Sequence, residues 1–308
     1  MGRYLAQRFL VTLPVVLGVT MAVFGMLHAV PGDPIQMMLG EFQTSPEQMA
    51  QLKSQLHLDE PLPQQYGRFI VGAVQGDLGY SIRSKRPVKD EILDNLPSTI
   101  MLTLVGLSIA AVLGLVLGVF AAVKQNTWGD VSAMIMAMLG VSMPSFWLGL
   151  LLIFVFSLRL GWFPATGGGG IDHLVLPALT LGLGASAIIA RLTRSTMLEM
   201  LRQDYVTTAR AKGLPGSVVI LRHALRNALI PTVTILGLQF GQLLAGTVVI
   251  ETVFGRPGIG RLIVAAILEK DFPLVQGIVL FIAISYVLIN LAVDLLYAVL
   301  DPRIRYGQ

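Results

Sequence analysis

The stretch Asn95–Val123, NLPSTIMLTLVGLSIAAVLGLVLGVFAAV, contains no Asp, Glu, Lys or Arg. A helix crosses ~30 Å of hydrocarbon in ~20 residues, so this run is long enough to span a bilayer. Phe9–Val30, Val131–Leu158, Leu174–Ala190, Asn227–Ile250 and Phe272–Val293 are likewise uncharged. The chain's charges fall between these runs. In hydrocarbon every backbone N–H and C=O must be paired internally, so each run predicts a helix. A transmembrane barrel is excluded, because barrel strands alternate polar and apolar residues over ~10 positions. The reading is an all-α polytopic membrane protein with six transmembrane helices.

Composition agrees. Hydrophobic residues make up 54% and charged residues 13%, about half the ~25% charge of soluble domains. The absence of cysteine excludes disulfides and thiolate metal sites. His28, His57, His173 and His223 form no pair with metal-ligand spacing, so no metal site is expected. No catalytic triad or carboxylate pair stands out, so no enzyme site is expected. The net charge of +4 belongs to basic loops facing anionic lipid or partners, not nucleic acid. The opening MGRYLAQRF leads into an apolar run too long for a signal peptide, with no small-x-small cleavage site after it. It reads as the first span.

Loop charges set the orientation. With the N-terminus inside, the cytoplasmic segments carry 12 basic residues, among them Arg3, Arg8, Lys124 and the cluster between Arg191 and Arg226. The short outer loops carry 4, namely Arg159, Arg256, Arg261 and Lys270. This excess places both termini in the cytoplasm; the remaining basic residues lie in the long Pro31–Leu96 segment, which is exempt from the rule. That external segment predicts helices at Pro46–Leu56 and Gln64–Val74, separated by Pro and Gly.

Arg191–Asn227 is the only sizeable cytoplasmic loop. Apolar spacing predicts a helix over Met197–Lys212, with Leu198, Leu201, Tyr205 and Thr208/Ala209 on one face. Gly213 is placed to stop it in the left-handed cap conformation. Pro215-Gly216 makes a turn, and Ser217 is a candidate cap for a second helix, Val218–Ala228, that leads into the next span. Two readings are open: a stiff lever that transmits force from a soluble partner, or a basic amphipathic loop resting on headgroups.

The segment Asp204–Leu214, DYVTTARAKGL, followed by His223–Pro231, HALRNALIP, resembles the cytoplasmic loop of binding-protein-dependent ABC transporter permeases. More narrowly, it is similar to the dipeptide, oligopeptide and nickel permeases, and to the first permease subunit of dipeptide-type importers. The general signature has Glu-Ala-Ala where this chain has Thr207, Thr208 and Ala209, so no glutamate role carries over. Pro31-Gly32-Asp33-Pro34, Gly76–Ser81, Arg86-Pro87-Val88, Gly161–Pro164, Glu251–Phe254, Pro257–Leu262 and Asn290 through Arg303 extend the resemblance along nearly the whole chain.

The resemblance implies a type I ABC importer permease of MetI-like architecture in the cytoplasmic (inner) membrane of a prokaryote. Residues 1–98 would hold the first helix and the extracytoplasmic segment. Residues 99–308 would form the five-helix permease domain with coupling loop 191–227. The implied partners are membrane lipids, a second homologous permease in a heterodimer, two ABC ATPase subunits and an extracytoplasmic substrate-binding protein. ATP and Mg would be bound by the ATPase subunits, since this chain has no G-x-x-x-x-G-K-[ST] loop. The implied role is import of dipeptides or oligopeptides by alternating access. Relatives also handle nickel chelates, glutathione and oligosaccharides. Tyr205, Thr208, Ala209, Arg210, Ala211, Lys212 and Gly213 would form the ATPase-coupling contact.

Polar residues in the spans are candidates for the translocation path or gate. Glu251 reads as an outer gate or as an interfacial cap. Gln239, Gln242 and Asn290 read as path lining or as helix–helix hydrogen-bonding groups. Asp294 would suit a stand-alone ion-coupled carrier, the competing functional class, but it lies near a helix end and can reach water or Arg303. Pro144 is expected to kink the third span, because it lacks a backbone donor.

Overall fold

The structure is a computed structural model that describes residues 2–29 and 59–300, with side chains as far as Val293 in the second segment. The expected helix at Pro46–Leu56, the Pro31–Pro34 motif, the Asp294 side chain and Asp301–Arg303 lie outside the described residues. Helix α1 is Gly2–Ala29 and α2 is Leu62–Val74. The second begins slightly before the expected position because Pro61 and Pro63 preset its entry. Helix α3, Val88–Val123, extends beyond the uncharged run, with Asp90 and Glu91 favoured in its first turn by the helix dipole. The later helices are α4 (Trp128–Ser142), α5 (Ser145–Arg159), α6 (Asp172–Leu201), α7 (Asp204–Ala211), α8 (Gly216–Val253), α9 (Ile259–Leu268) and α10 (Phe272–Leu300).

Two departures from the expectation concern the spans. The third run is not one kinked helix: α4 and α5 meet at 104° across Met143-Pro144. The proline cannot donate to the preceding turn, and Met143 ahead of it is forced to extended backbone, φ −100° and ψ 137°. Among the described residues, four helices are long and apolar enough to cross a membrane: α3, α6, α8 and α10. The count is five if the bent α4–α5 pair is one span. The described apolar part of α1, Leu13–Met26, is shorter than that.

The chain forms two compact units. The larger contains Ser98–Arg261 and Ile289–Gln308. Its centre is α6, whose apolar window is 67% buried. Helices approach α6 through small residues, as they must where lipid offers no hydrophobic drive for association. A side chain at Gly114 of α3 would stand 2.6 Å from Ile189 Cβ, and one at Gly118 would stand 2.6 Å from the Ala190 carbonyl. From α4, Ala137 packs with Ala187 and Ala190. Leu176, Leu181, Ile189, Leu243, Ile250 and Phe254 fill the remaining core.

The smaller unit contains Met1–Pro97 and Leu262–Leu288. Tyr66 of α2 packs edge-on against Phe24 of α1 at 5.4 Å and shares a 2.9 Å hydrogen bond with Thr20. Ser81 donates to Asp271 at 2.5 Å, tying the loop before α3 to the start of α10.

Overpacking a tight helix contact costs about 1–3 kcal/mol. Gly114→Leu is therefore expected to lower the thermal midpoint in detergent, whereas Val116→Leu on the exposed face of α3 is expected to leave it unchanged. Equal midpoints in size-exclusion thermal challenge would contradict the packing described.

Candidate functional site

The residues singled out above in the 191–227 loop form a compact knob. The expected helix Met197–Lys212 is divided: α6 ends at Leu201, Arg202 caps it, and α7 starts afresh at Asp204 after Gln203 takes extended backbone. The break resets the register. Val206 and Ala209, rather than Tyr205 and Thr208, face inward, against Met197, Ala122, Val219, Ala224 and Ala228. Tyr205 is 39% exposed, and its hydroxyl accepts a 3.0 Å hydrogen bond from Asn227. Thr208, Arg210, Ala211, Lys212 and Gly213 are exposed. Of the seven predicted coupling residues, Ala209 therefore anchors the knob, and the others lie on its surface.

The end of α7 is a paired-carbonyl cap. The Gly213 amide donates to Arg210 at 2.9 Å and the Leu214 amide to Ala209 at 3.3 Å. This arrangement requires the left-handed φ of +76° that Gly213 adopts. Pro215, not Ser217, stands at the N-cap of the next helix, with no side-chain cap bond. That helix runs on without interruption as α8, through a π-helical segment at Val219–Ala224. The knob is thus covalently continuous with one long span and packed on another.

An ion pair that sequence reasoning missed fixes the same end of the unit. Arg194 of α6 binds Asp130 of α4 with two bonds, Nε to Oδ1 at 2.7 Å and Nη2 to Oδ2 at 2.6 Å. Asp130 is 4% exposed. Nothing local in sequence pairs residues 64 apart.

The second candidate site is the turn from α8 to α9. Glu251 is fully buried. Its Oε1 accepts from the Thr99 hydroxyl at 2.6 Å, and its Oε2 accepts from the Gly260 and Arg261 amides at 2.8 and 3.2 Å. Thr99 in turn accepts from the Ile259 amide at 2.9 Å. The carboxylate thereby satisfies the open amides of the α9 N-terminus, where the dipole favours negative charge. Gly258 is necessary here, since a side chain would collide with the Glu251 carboxyl group.

Arg256 in the same turn is 5% exposed, and its Nε and Nη1 have no hydrogen-bond partner among the described residues. Burial pushes its guanidinium below the ordinary value, while Glu251 opposes the shift. Sequence reasoning took Arg256 only as an outer basic residue. Of the other candidates, Gln239 is buried on α8, Gln242 is exposed on the same helix, and Asn290 is half-buried on α10. Among the described residues, the side-chain hydrogen bonds of Glu251 go to Thr99, Gly260 and Arg261 and not to these three. The arrangement has no nucleophile–base pair; what it can do is hold or release helix ends. No cluster of metal-binding side chains occurs among the described residues.

Two family matches cover most of the chain. Residues 114–306 match the binding-protein-dependent transport system inner membrane component, and residues 1–103 match the N-terminal part of such membrane components. A dipeptide transport system permease protein, DppB of Alkalihalophilus pseudofirmus, is 44% identical over 98% of this chain and 99% of its own length. A glutathione transport system permease protein, GsiC of Escherichia coli, is 45% identical over 99% of this chain and 100% of its own. Among solved structures, the inward-facing MetNI methionine ABC transporter matches with a TM-score of 0.59 at 18% identity, over 68% of this chain and 96% of that one. An amino acid ABC transporter crystallised with histidines matches at 0.52, over 70% and 94%.

Removing the Glu251 acceptor leaves several buried donors unpaired, at about 1–3 kcal/mol each. Glu251→Ala is expected to lower the thermal midpoint well below that of Glu251→Gln, which retains one carbonyl acceptor. Indistinguishable melting curves for the two variants would contradict the capping role.

Proposed function

The chain belongs to the family of binding-protein-dependent transport system inner membrane components, and from that premise we propose that it conducts short peptides, dipeptides or glutathione among them. It is the permease subunit of an ATP-driven ABC importer of the dipeptide and oligopeptide family, and not an enzyme. Such a subunit works in the inner membrane with an ATPase and a substrate-binding component. The observation that carries the substrate reading is near-full-length identity to two permeases, each named for a short peptide. Nickel chelates and oligosaccharides are the alternative cargo.

In this reading six helices cross the membrane, with α1 as the first and both termini in the cytoplasm. The loop of Gly76–Pro87 faces outward. A second, homologous permease completes the pathway as a heterodimer. Two ATPase subunits below bind ATP and Mg. The α7 knob, through Tyr205, Thr208, Arg210, Lys212 and Gly213, seats in a cleft on one of them. Closure of the ATPase pair pushes the knob, and its continuity with α8 and packing on α6 carry that displacement into the bundle. Gln239, Gln242 and Asn290 lie on the moving helices as candidates for the path, and the Glu251 cap closes the outer end. The stand-alone carrier reading is weaker, because the Glu251 carboxylate is already engaged by Thr99 and two amides.

The assay is import of labelled dipeptide or glutathione by the reconstituted permease pair, ATPases and binding protein. Ala209→Glu places a charge in the seat under α7 and is expected to reduce ATP-driven uptake about fivefold or more, with membrane insertion intact. Uptake by this chain alone under a proton or sodium gradient, or unchanged coupled uptake in the variant, would contradict the reading.

A further inference from the structure

One face of α4 is built from residues that offer little grip. Ala133, Ala137 and Gly140 follow Asp130 at helical spacing. Ala133 and Ala137 are buried, and Ala137 packs with Ala187 and Ala190 of α6. A side chain at Gly140 would collide with the Leu183 carbonyl. Residue numbers rise along α4 as they fall along α6, so the two helices run antiparallel along this seam. Contacts between small apolar groups bring backbones close but have no direction of their own. Among the described residues, the Asp130–Arg194 fork is the hydrogen-bonded link between α4 and α6. It closes one end of the seam, and the Met143-Pro144 bend lies just past the other.

The fork is placed to pass on a push. Arg194 lies about one turn before Met197, which is fully buried and clusters with Val206 and Ala209 of the knob. Between them, the Thr196 hydroxyl donates to the Ala228 carbonyl of α8 at 3.4 Å. One turn of α6 thus carries the knob seat, a tie to α8 and the guanidinium that holds α4. Asp130 is anchored on its own side as well. Its Oδ2 accepts from the Asn126 amide at 3.1 Å, where Asn126 takes the left-handed φ of +61°. Past the bend, α5 meets the turn that follows Glu251: a side chain at Gly149 would stand 3.1 Å from the Phe254 ring.

We propose that Asp130 and Arg194 are positioning residues for transport: their fork makes α4 follow the knob, and so moves the α4–α5 bend when the ATPase pair closes. The proposal rests on the coupling role given to the knob above. A planar guanidinium bound at two points fixes angle as well as distance. A one-point contact would leave α4 free to slip along its seam of small residues. Neutralising Asp130 needs only a cation; steering α4 needs the fork.

The test uses the complete transporter in proteoliposomes. The chain has no cysteine, so Val131→Cys and Leu158→Cys, both at exposed positions, put spin labels on the two arms of the bend. The distance between the labels is measured with and without ATP, and crosslinking from Lys212 to the ATPase reports the seating of the knob. With the fork intact, the distance changes with ATP. Arg194→Lys keeps the charge and loses the two-point contact. It is expected to halve that change or more and to lower labelled dipeptide or glutathione imported per ATP about fivefold, with the thermal midpoint and the Lys212 crosslink near wild type. Asp130→Leu combined with Arg194→Met replaces the fork by apolar contact, an exchange often neutral for stability, and is expected to give the same loss. A wild-type distance change in either variant would overturn the proposal, as would a bend that ignores ATP when the fork is intact. So would a loss that follows only the fraction of transporter unfolded, since the fork would then act on stability alone. A Lys212 crosslink missing from the wild type would overturn the coupling reading, and the proposal with it.

Discussion

In hydrocarbon no water is available to a backbone amide or a charge, so a helix end or an acid buried there must find its partner inside the protein. Three buried acids show how that constraint is met. Glu251 takes the open amides of α9. Asp271 sits just before α10, takes the Leu274 amide at 3.3 Å and holds Ser81. Asp130, in the first turn of α4, takes the Asn126 amide and the Arg194 fork. Each lies at a helix terminus rather than mid-span. The same groups that satisfy backbone donors also tie consecutive helices to distant ones.

Small residues do the corresponding work along the helix bodies. With Gly114 and Gly118 on α3 and the alanines on α4, the backbones come close enough to α6 for dispersion to hold them without a hydrophobic drive. Because α6 is thereby packed on several sides, a displacement at its Leu201 end is not readily absorbed locally. The α7 knob sits at that end, seated by Val206 and Ala209 and continuous with α8. The coupling role proposed for the knob requires this combination of a stiff element and a bundle with more than one packing.

The helical class and the positions of the apolar runs were legible because exclusion of charge from hydrocarbon is a one-dimensional signal. Leu174–Ala190 was the shortest run, yet its helix is the most buried of the candidate spans. It looked short because α6 continues into charged sequence through Arg191 and Arg194, and Arg194 is neutralised by a residue far away in sequence. The 104° turn at Pro144 was legible in place but not in size, since a proline marks a lost bond and the neighbours decide the angle. In the knob, Gly213 was readable from its residue type, whereas the break at Arg202-Gln203 was not, because tertiary packing of Val206 and Ala209 overrides the apolar period there. Glu251 stood out as an ionisable residue at a span end. Its partners Thr99, Gly260 and Arg261 are brought to it only by the fold.

The most direct measurement is site-specific photocrosslinking from Arg210 or Lys212 in inside-out membrane vesicles that hold the assembled transporter, with and without ATP. A knob that receives force from a nucleotide-hydrolysing subunit gives a crosslink to the ATPase whose yield changes with ATP. A crosslink confined to lipid, or labelling of these positions only from the outer side of the membrane, would contradict the account.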